Sequence, residues 1–322
     1  MRILLTGATG FIGSEVARRL VADGHRARAM VRRPSRAALL ATLDVEPVYG
    51  DLLSPASLAR AVDGVDAVIH LGARATFEPY ARLQPTIVDG TAQLAQAAAE
   101  AGVRHIVYGS SMFVYDGTAP VDDRTPARPT LAYGRAKLDA EAVLDRTARA
   151  GGPSVACIRL PHVYGPQSLL FGLVRRRVVV FPGAGDNEFA QLHVDDAARV
   201  LVAAAVQGWC GTAPLADHAT VTWNDFFDVL TTFAPRIRVL RLPRRLAAAG
   251  AAVGGALLGR LGPTLVSVDT VRGWNLRLAV TSRTLWSDLG MSPRYPGIFE
   301  GVPATLDGVV AFRWRHPVSD RS

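Results

Sequence analysis

The sequence predicts an α/β protein, with a doubly wound parallel sheet followed by a smaller, mainly helical C-terminal lobe, on three observations. Short β-rich runs at 2–6, 25–32, 45–50, 65–71, 105–110 and 154–160 alternate with helical Ala/Leu/Arg stretches such as 83–100 and 133–150. A glycine-rich turn, TGATGFIG at 6–13, sits between the first strand and the first helix. After Pro166 the alternation loosens: loop-like stretches at 181–186, 211–214, 262–263 and 290–297 separate helical segments at 194–207, 223–234, 243–259 and 298–312. The expected division gives 1–165 to the sheet domain, with 194–222 and about 278–283 returning to it. The segments 166–193, 223–277 and 284–322 are expected to form a substrate lobe.

At 322 residues, 49% of them hydrophobic, the chain has ample material for a buried core. No apolar run reaches the roughly 18 residues of a membrane span, and the expectation is a cytoplasmic protein. The apolar stretch 246–258 is read as a buried or substrate-facing helix rather than a membrane contact. Cys157 and Cys210 are too few for a disulfide framework and are expected to be buried, reduced thiols; no metal site is expected. The formal charge of +8 raises anionic partners. Its arginines are mostly dispersed, however, and the clusters at 175–177 and 236–245 lack the interleaved aromatics of a single-strand groove, so nucleic acid is not expected.

The glycine turn carries the first chemistry. Gly7, Gly10 and Gly13 allow a tight turn, close approach of backbone N–H groups to a phosphate, and close helix–strand packing, which together form a Rossmann-type dinucleotide signature. The second strand ends Met30-Val31-Arg32-Arg33 with no acid to bond a ribose 2′-hydroxyl. A guanidinium there suits a 2′-phosphate, so Arg32, with Arg33 beside it, points to NADP rather than NAD.

Lys137 is the chain's only lysine among 36 Lys and Arg residues. It stands four residues after Tyr133 in a helical segment, on the same face. An ammonium beside a phenol is expected to lower the phenol's pKa and suit it to proton exchange with an alcohol or carbonyl. The compact ammonium can also bond a ribose hydroxyl in a slot too small for arginine's planar fork.

Together, TGATGFIG, Asp51-Leu52, HLGA (70–73), YGSSMFVY (108–115), YGRAK (133–137), RLPHVYGP (159–166) and HVDDAARV (193–200) resemble the extended short-chain dehydrogenase/reductase family, nearly end to end. That family includes nucleotide-sugar epimerases, dihydroflavonol reductases and 3β-hydroxysteroid dehydrogenases. The resemblance implies that Ser111 bonds the reacting oxygen, Tyr133 is the acid/base, and Lys137 tunes the tyrosine and holds the nicotinamide ribose. It implies cofactor contacts from Gly7, Thr9, Gly10, Phe11, Ile12 and Gly13, from Asp51 and Leu52 at the adenine, from Leu71, Gly72 and Ala73 near the pyrophosphate, and from Pro161 and Val163 at the nicotinamide. Met112, His162 and Phe171 are the implied substrate contacts, while His70 is read as a hydrogen-bonded core group.

Three departures bear on function. Ile87 stands where many relatives have asparagine; Met112 and Phe113 replace the acids of dehydratases; and 187–196 lacks the diphosphate-binding arginine of nucleotide-sugar epimerases. The expected activity is NADP(H)-dependent reduction of a ketone or aldehyde, or oxidation of the matching alcohol, on a largely apolar or polycyclic small molecule, free or carrier-bound. A nucleotide-sugar epimerase with retained cofactor, in which Arg175 or Arg277 replaces the missing arginine, is the rival reading, and a non-catalytic NADP sensor a further one. A homodimer is compatible with each.

Overall fold

The computed structural model describes residues 1–118, 120–168, 171, 178–258 and 267–315. Its strands are β1 (Arg2–Thr6), β2 (Arg26–Val31), β3 (Val45–Tyr49), β4 (Ala67–His70), β5 (His105–Ser111), β6 (Ser154–Leu160), β7 (His162–Tyr164), β8 (Val178–Pro182), β9 (Glu188–Phe189), β10 (Gln191–His193), β11 (Gly211–Pro214), β12 (Val221–Thr222) and β13 (Arg238–Leu242). Seven form one sheet in the order β11-β6-β5-β4-β1-β2-β3. All six pairings within it are parallel. Parallel neighbours require crossovers, and helices on both faces supply them; β1, β4 and β5 are accordingly buried along nearly their whole length.

The helices Phe11–Ala22 and Val194–Gln207 cover one face, burying Val16 and Leu20 against Val200 and Leu201. The helices Pro55–Val62, Gly90–Glu100 and Ala132–Arg149 cover the other through Leu58, Leu94 and Leu144. A separate aromatic cluster lies beyond the strands' C-terminal ends, built from Tyr164, Phe171, Phe181, Trp223, Phe226 and Phe227.

Four expectations change. Residues 211–214, read as a loop, form the edge strand β11, because the backbone of 211–214 pairs with β6 despite a Pro and a Gly. Of the segment 284–322 assigned to the lobe, the start packs into the sheet's core instead, where Leu285, Trp286 and Leu289 join it and Trp286 Nε1–H donates to Ala216 O at 2.8 Å, while Ile298 and Val302 stay in the lobe's aromatic cluster. Cys157 is buried but Cys210 is exposed. The helix Arg244–Leu258 is neither enclosed nor at a cavity wall among its described side chains; Ala247 and Ala251 pack on Val271, while Leu246 and Val253 face outward.

Candidate active site

A cavity of about 740 Å³ opens along the C-terminal ends of β1, β2, β4 and β5, where strand order reverses beside β1. Its floor is the 6–13 turn. Gly7 has φ +71°, and a Cβ there would stand 2.8 Å from the backbone of Leu71; a Cβ on Gly13 would stand 2.0 Å from Gly7 O. A side chain at either place would collide with backbone and distort the turn whose N–H groups are placed to meet a phosphate.

A buried relay pins this floor. Gly72 N–H donates to Thr6 Oγ1 (2.9 Å), which leaves the Thr6 hydroxyl to donate to His70 Nδ1 (2.6 Å). The proton of His70 is then on Nε2, donating to Thr91 Oγ1 (3.0 Å), whose own hydroxyl donates to Ile87 O (2.5 Å). Burial lowers His70 to about 3, so it stays neutral and serves as a structural link, as its sequence setting suggested. Ile87 itself is buried in the core and lines neither cavity, so the departure at this position leaves no polar group facing the site.

At the far end, Arg32, Arg33 and Arg36 line the cavity beside Asp51 and Leu52. All three are exposed, and none has an ion-pair partner among the described residues. Arg36 escaped the sequence reading, although its place on the short helix Pro34–Ala37, one turn past Arg32, puts it at the same strand end.

The third part of the site is built by the helix Ala132–Arg149. Gly134 lets it approach closely, since a Cβ there would lie 1.8 Å from Phe113 O. That contact brings Tyr133 and Lys137 to the end of β5, where Ser111 lies; all three residues line the cavity. Lys137 is 3% exposed, and its ammonium donates to Gly109 O at 2.7 Å and sits 4.5 Å from the Tyr108 ring centroid. Ser111 Oγ accepts from Phe113 N–H at 3.2 Å. Behind them Glu141 receives Arg159 Nε at 3.1 Å and Nη2 at 2.8 Å, and Ser110.

The electrostatics correct one expectation. Tyr133 stands within 6.3 Å of the Phe77 and Phe113 ring centroids, and burial raises its pKa above the ordinary phenol value instead of lowering it. Desolvation of a phenolate outweighs the attraction of an ammonium 5.9 Å from the ring centroid. The same burial lowers Lys137 to about 8, with Glu141 opposing.

The chain matches the family model for the NAD dependent epimerase/dehydratase family over residues 3–212. It belongs to that family. It is 30% identical over 328 residues to a ceramide reductase of Caulobacter vibrioides, covering 97% of this chain and 95% of the relative. It is 28% identical over 298 residues to a 4-hydroxy-2-methyl-3-oxo-4-farnesyl-3,4-dihydroquinoline-1-oxide ketoreductase of Stigmatella aurantiaca, covering 87% and 86%. Among solved structures it is similar to MoeE5 in complex with UDP-glucose and NAD, with a TM-score of 0.78, 26% identity and coverage of 98% and 100%. As a member of this epimerase/dehydratase family it is an extended short-chain dehydrogenase/reductase, an enzyme dependent on a nicotinamide dinucleotide.

Within that frame a second cavity of about 150 Å³ joins the first at Ser111, Phe113, Leu160, Pro161 and His162. Phe77, Met112, Phe189, Trp223, Trp274 and Leu276 wall it, and no charged side chain does among the described residues. His162 packs edge-on to Trp223 at 5.0 Å between centroids; burial lowers it to about 4, and its Nδ1 has no hydrogen-bond partner among the described residues.

Of the residues singled out from sequence, Gly7, Thr9, Gly10, Phe11, Ile12, Gly13, Arg32, Asp51, Leu52, Leu71, Gly72, Ala73, Ser111, Tyr133, Lys137, Pro161, His162 and Val163 line the first cavity, and Met112 the second. Phe171 does not belong: it is buried against Tyr164 and Phe226, one layer behind the wall. Arg277 is exposed and lines neither cavity, and Arg175 lies outside the described residues. Phe77 was missed, since a lone aromatic in a loop gives no sign that it will meet both Tyr133 and Phe113.

Proposed function

We propose that this enzyme is an NADP(H)-dependent reductase of a ketone or aldehyde on a largely apolar or polycyclic small molecule. One observation carries the reading: the cavity that opens at Ser111 is walled by aromatic and aliphatic side chains, with no cation among the described residues to receive a diphosphate. Such walls favour buried rings or alkyl chains by about 25 cal/mol per Å² and leave a pyrophosphate poorly solvated. The names of the ceramide reductase and the farnesylated-quinoline ketoreductase agree with an apolar substrate.

In this reading residues 1–165, with 194–222 and 278–283, hold the cofactor, and the aromatic lobe holds the substrate. The glycine turn fits a pyrophosphate, Arg32 with Arg33 and Arg36 a 2′-phosphate, Asp51 and Leu52 the adenine, and Lys137 the ribose through ammonium protons left after the bond to Gly109. The cofactor, when bound, supplies the hydride. Ser111 donates to the carbonyl oxygen and polarises it. Tyr133, kept protonated at neutral pH by its burial, donates the proton that completes the alcohol. The neutral imidazole of His162 offers Nδ1 to a polar group of the substrate beside the carbonyl.

The neighbour bound to UDP-glucose and NAD favours a second reading, nucleotide-sugar epimerisation with retained cofactor. Two measurements separate them. NADPH oxidation is expected with hydrophobic ketones, and calorimetry is expected to give only weak binding of UDP- and dTDP-hexoses. Tight binding of such a sugar, with conversion to its epimer and no net cofactor turnover, overturns the reductase reading.

A further inference from the structure

We propose that the outer face of the lobe docks on an anionic lipid bilayer, placing the substrate cavity at a membrane surface. The proposal rests on the apolar-substrate reading and adds where that substrate is met. The strands β8 and β13 form an isolated parallel pair in which Arg238 stands opposite Val178 and Leu240 opposite Val180. Alternation divides the pair into two faces. Val179 and Phe181 turn inward, and Phe181 lies 5.7 Å from the Trp274 ring that walls the cavity. The opposite face is apolar yet wet: Val180 is 57% exposed and Leu240 54%.

The chain then passes through Leu242 and Pro243 into the helix Arg244–Leu258, which packs beside β8. Ala247 and Ala251 occupy its buried side. Leu246, 61% exposed, and Val253, 60% exposed, are seven residues apart and therefore share one outward stripe. A water-facing helix ordinarily carries polar groups there; this one continues the apolar face of the strand pair.

Charge selects the occupant. Arg236, Arg238, Arg244 and Arg245 are exposed around these aliphatics, with no ion-pair partner among the described residues. From 229 to 268 the sequence has arginines at 236, 238, 241, 244, 245 and 260 and no Asp or Glu. Aliphatics ringed by guanidiniums match a bilayer with anionic headgroups, the aliphatics entering the acyl boundary while the arginines meet phosphates. A second copy fits poorly, because a two-fold contact would set this cationic face against itself. A protein partner would more typically meet Trp or Tyr anchors, and the outward residues here are Val and Leu.

The test is co-sedimentation of the full chain with vesicles of phosphatidylcholine alone and with about 30 mol% phosphatidylglycerol. Binding is expected on the anionic vesicles, at least about tenfold above neutral ones, and to fall at high salt. The triple change Arg238→Gln, Arg244→Gln, Arg245→Gln should lower partitioning by roughly two orders of magnitude, at about fivefold per arginine. Leu246→Ser with Val253→Ser should weaken it on both vesicle types. Each variant should oxidise NADPH with a water-soluble ketone as the parent chain does, which reports intact folding. Absence of binding, indifference to lipid charge, or full binding by the triple variant overturns the proposal. So does a dimer in sedimentation equilibrium that dissociates on the same substitutions while vesicles are ignored. Absence of docking by the parent chain, with its ketone reduction intact, defeats only this inference; failure of the parent chain on every apolar ketone defeats the reading beneath it.

Discussion

The two cavities meet at Ser111 but are made differently. The larger is floored by glycines and lined by three exposed arginines at one end and by the buried lone lysine; the smaller is walled by rings and has no charged side chain among the described residues. The first draws most of its surface from contiguous motifs, 7–13, 50–52 and 71–73 among them, whereas the second assembles Phe77, Phe113, Phe189, Trp223 and Trp274 from widely separated segments. A site that recognises phosphates needs backbone geometry, which a short motif can encode. A site that recognises apolar shape needs only volume, and residues from anywhere can supply it.

The contrast breaks most sharply at the proton donor. Tyr133→Phe should lower turnover by about 10²–10⁴-fold while cofactor affinity, measured by fluorescence titration, holds. Lys137→Arg should lose most of the activity although it keeps the charge, because the fork does not fit the buried slot beside Gly109. Near-normal turnover of that variant would show that charge alone matters there.

Gly13→Ala tests the floor. Its Cβ would lie 2.0 Å from Gly7 O, so cofactor affinity should fall at least tenfold and stability by about 1–3 kcal/mol, read by calorimetry and thermal unfolding. Arg32→Ala tests the arginine end: NADP(H) should weaken by about 1.5–3 kcal/mol with little change for NAD(H). Equal losses would make Arg32 structural. Trp274→Ala acts on the other cavity, raising KM for a bulky ketone and sparing both cofactors.

The smallest effect concerns pH. Lys137 is lowered by burial to about 8 from an ordinary 10.5, so its charged form costs stability below pH 8, and that cost fades as pH rises from 8 to 10.5. Lys137→Met should therefore stabilise the fold at pH 7 relative to the parent, with the advantage shrinking across that window in denaturant titrations. In the parent enzyme kcat/KM should decline above about pH 8, as the ammonium that holds the ribose loses its proton.

Only the family resemblance joined Ser111 to the site; sequence by itself determined the parallel sheet, the glycine floor, the arginines at the end of β2, and the shared helix face of Tyr133 and Lys137. These follow from strand–helix alternation, from turns that tolerate only glycine, and from helical spacing, all of which act over a few residues. Tertiary structure decided what depends on distant neighbours. Phe171 turned from a wall residue into a buried one because Tyr164 and Phe226 close over it. Leu285, Trp286 and Leu289 were drawn back to the sheet's core. The 246–258 helix was left with an apolar stripe in water, since composition gives a helix's hydrophobicity but not which of its sides finds a partner. The phenol's pKa also moved the other way. An i, i+4 spacing supplies the neighbouring charge, but the desolvation that outweighs it comes from Phe77 and Phe113, which only the fold brings to Tyr133.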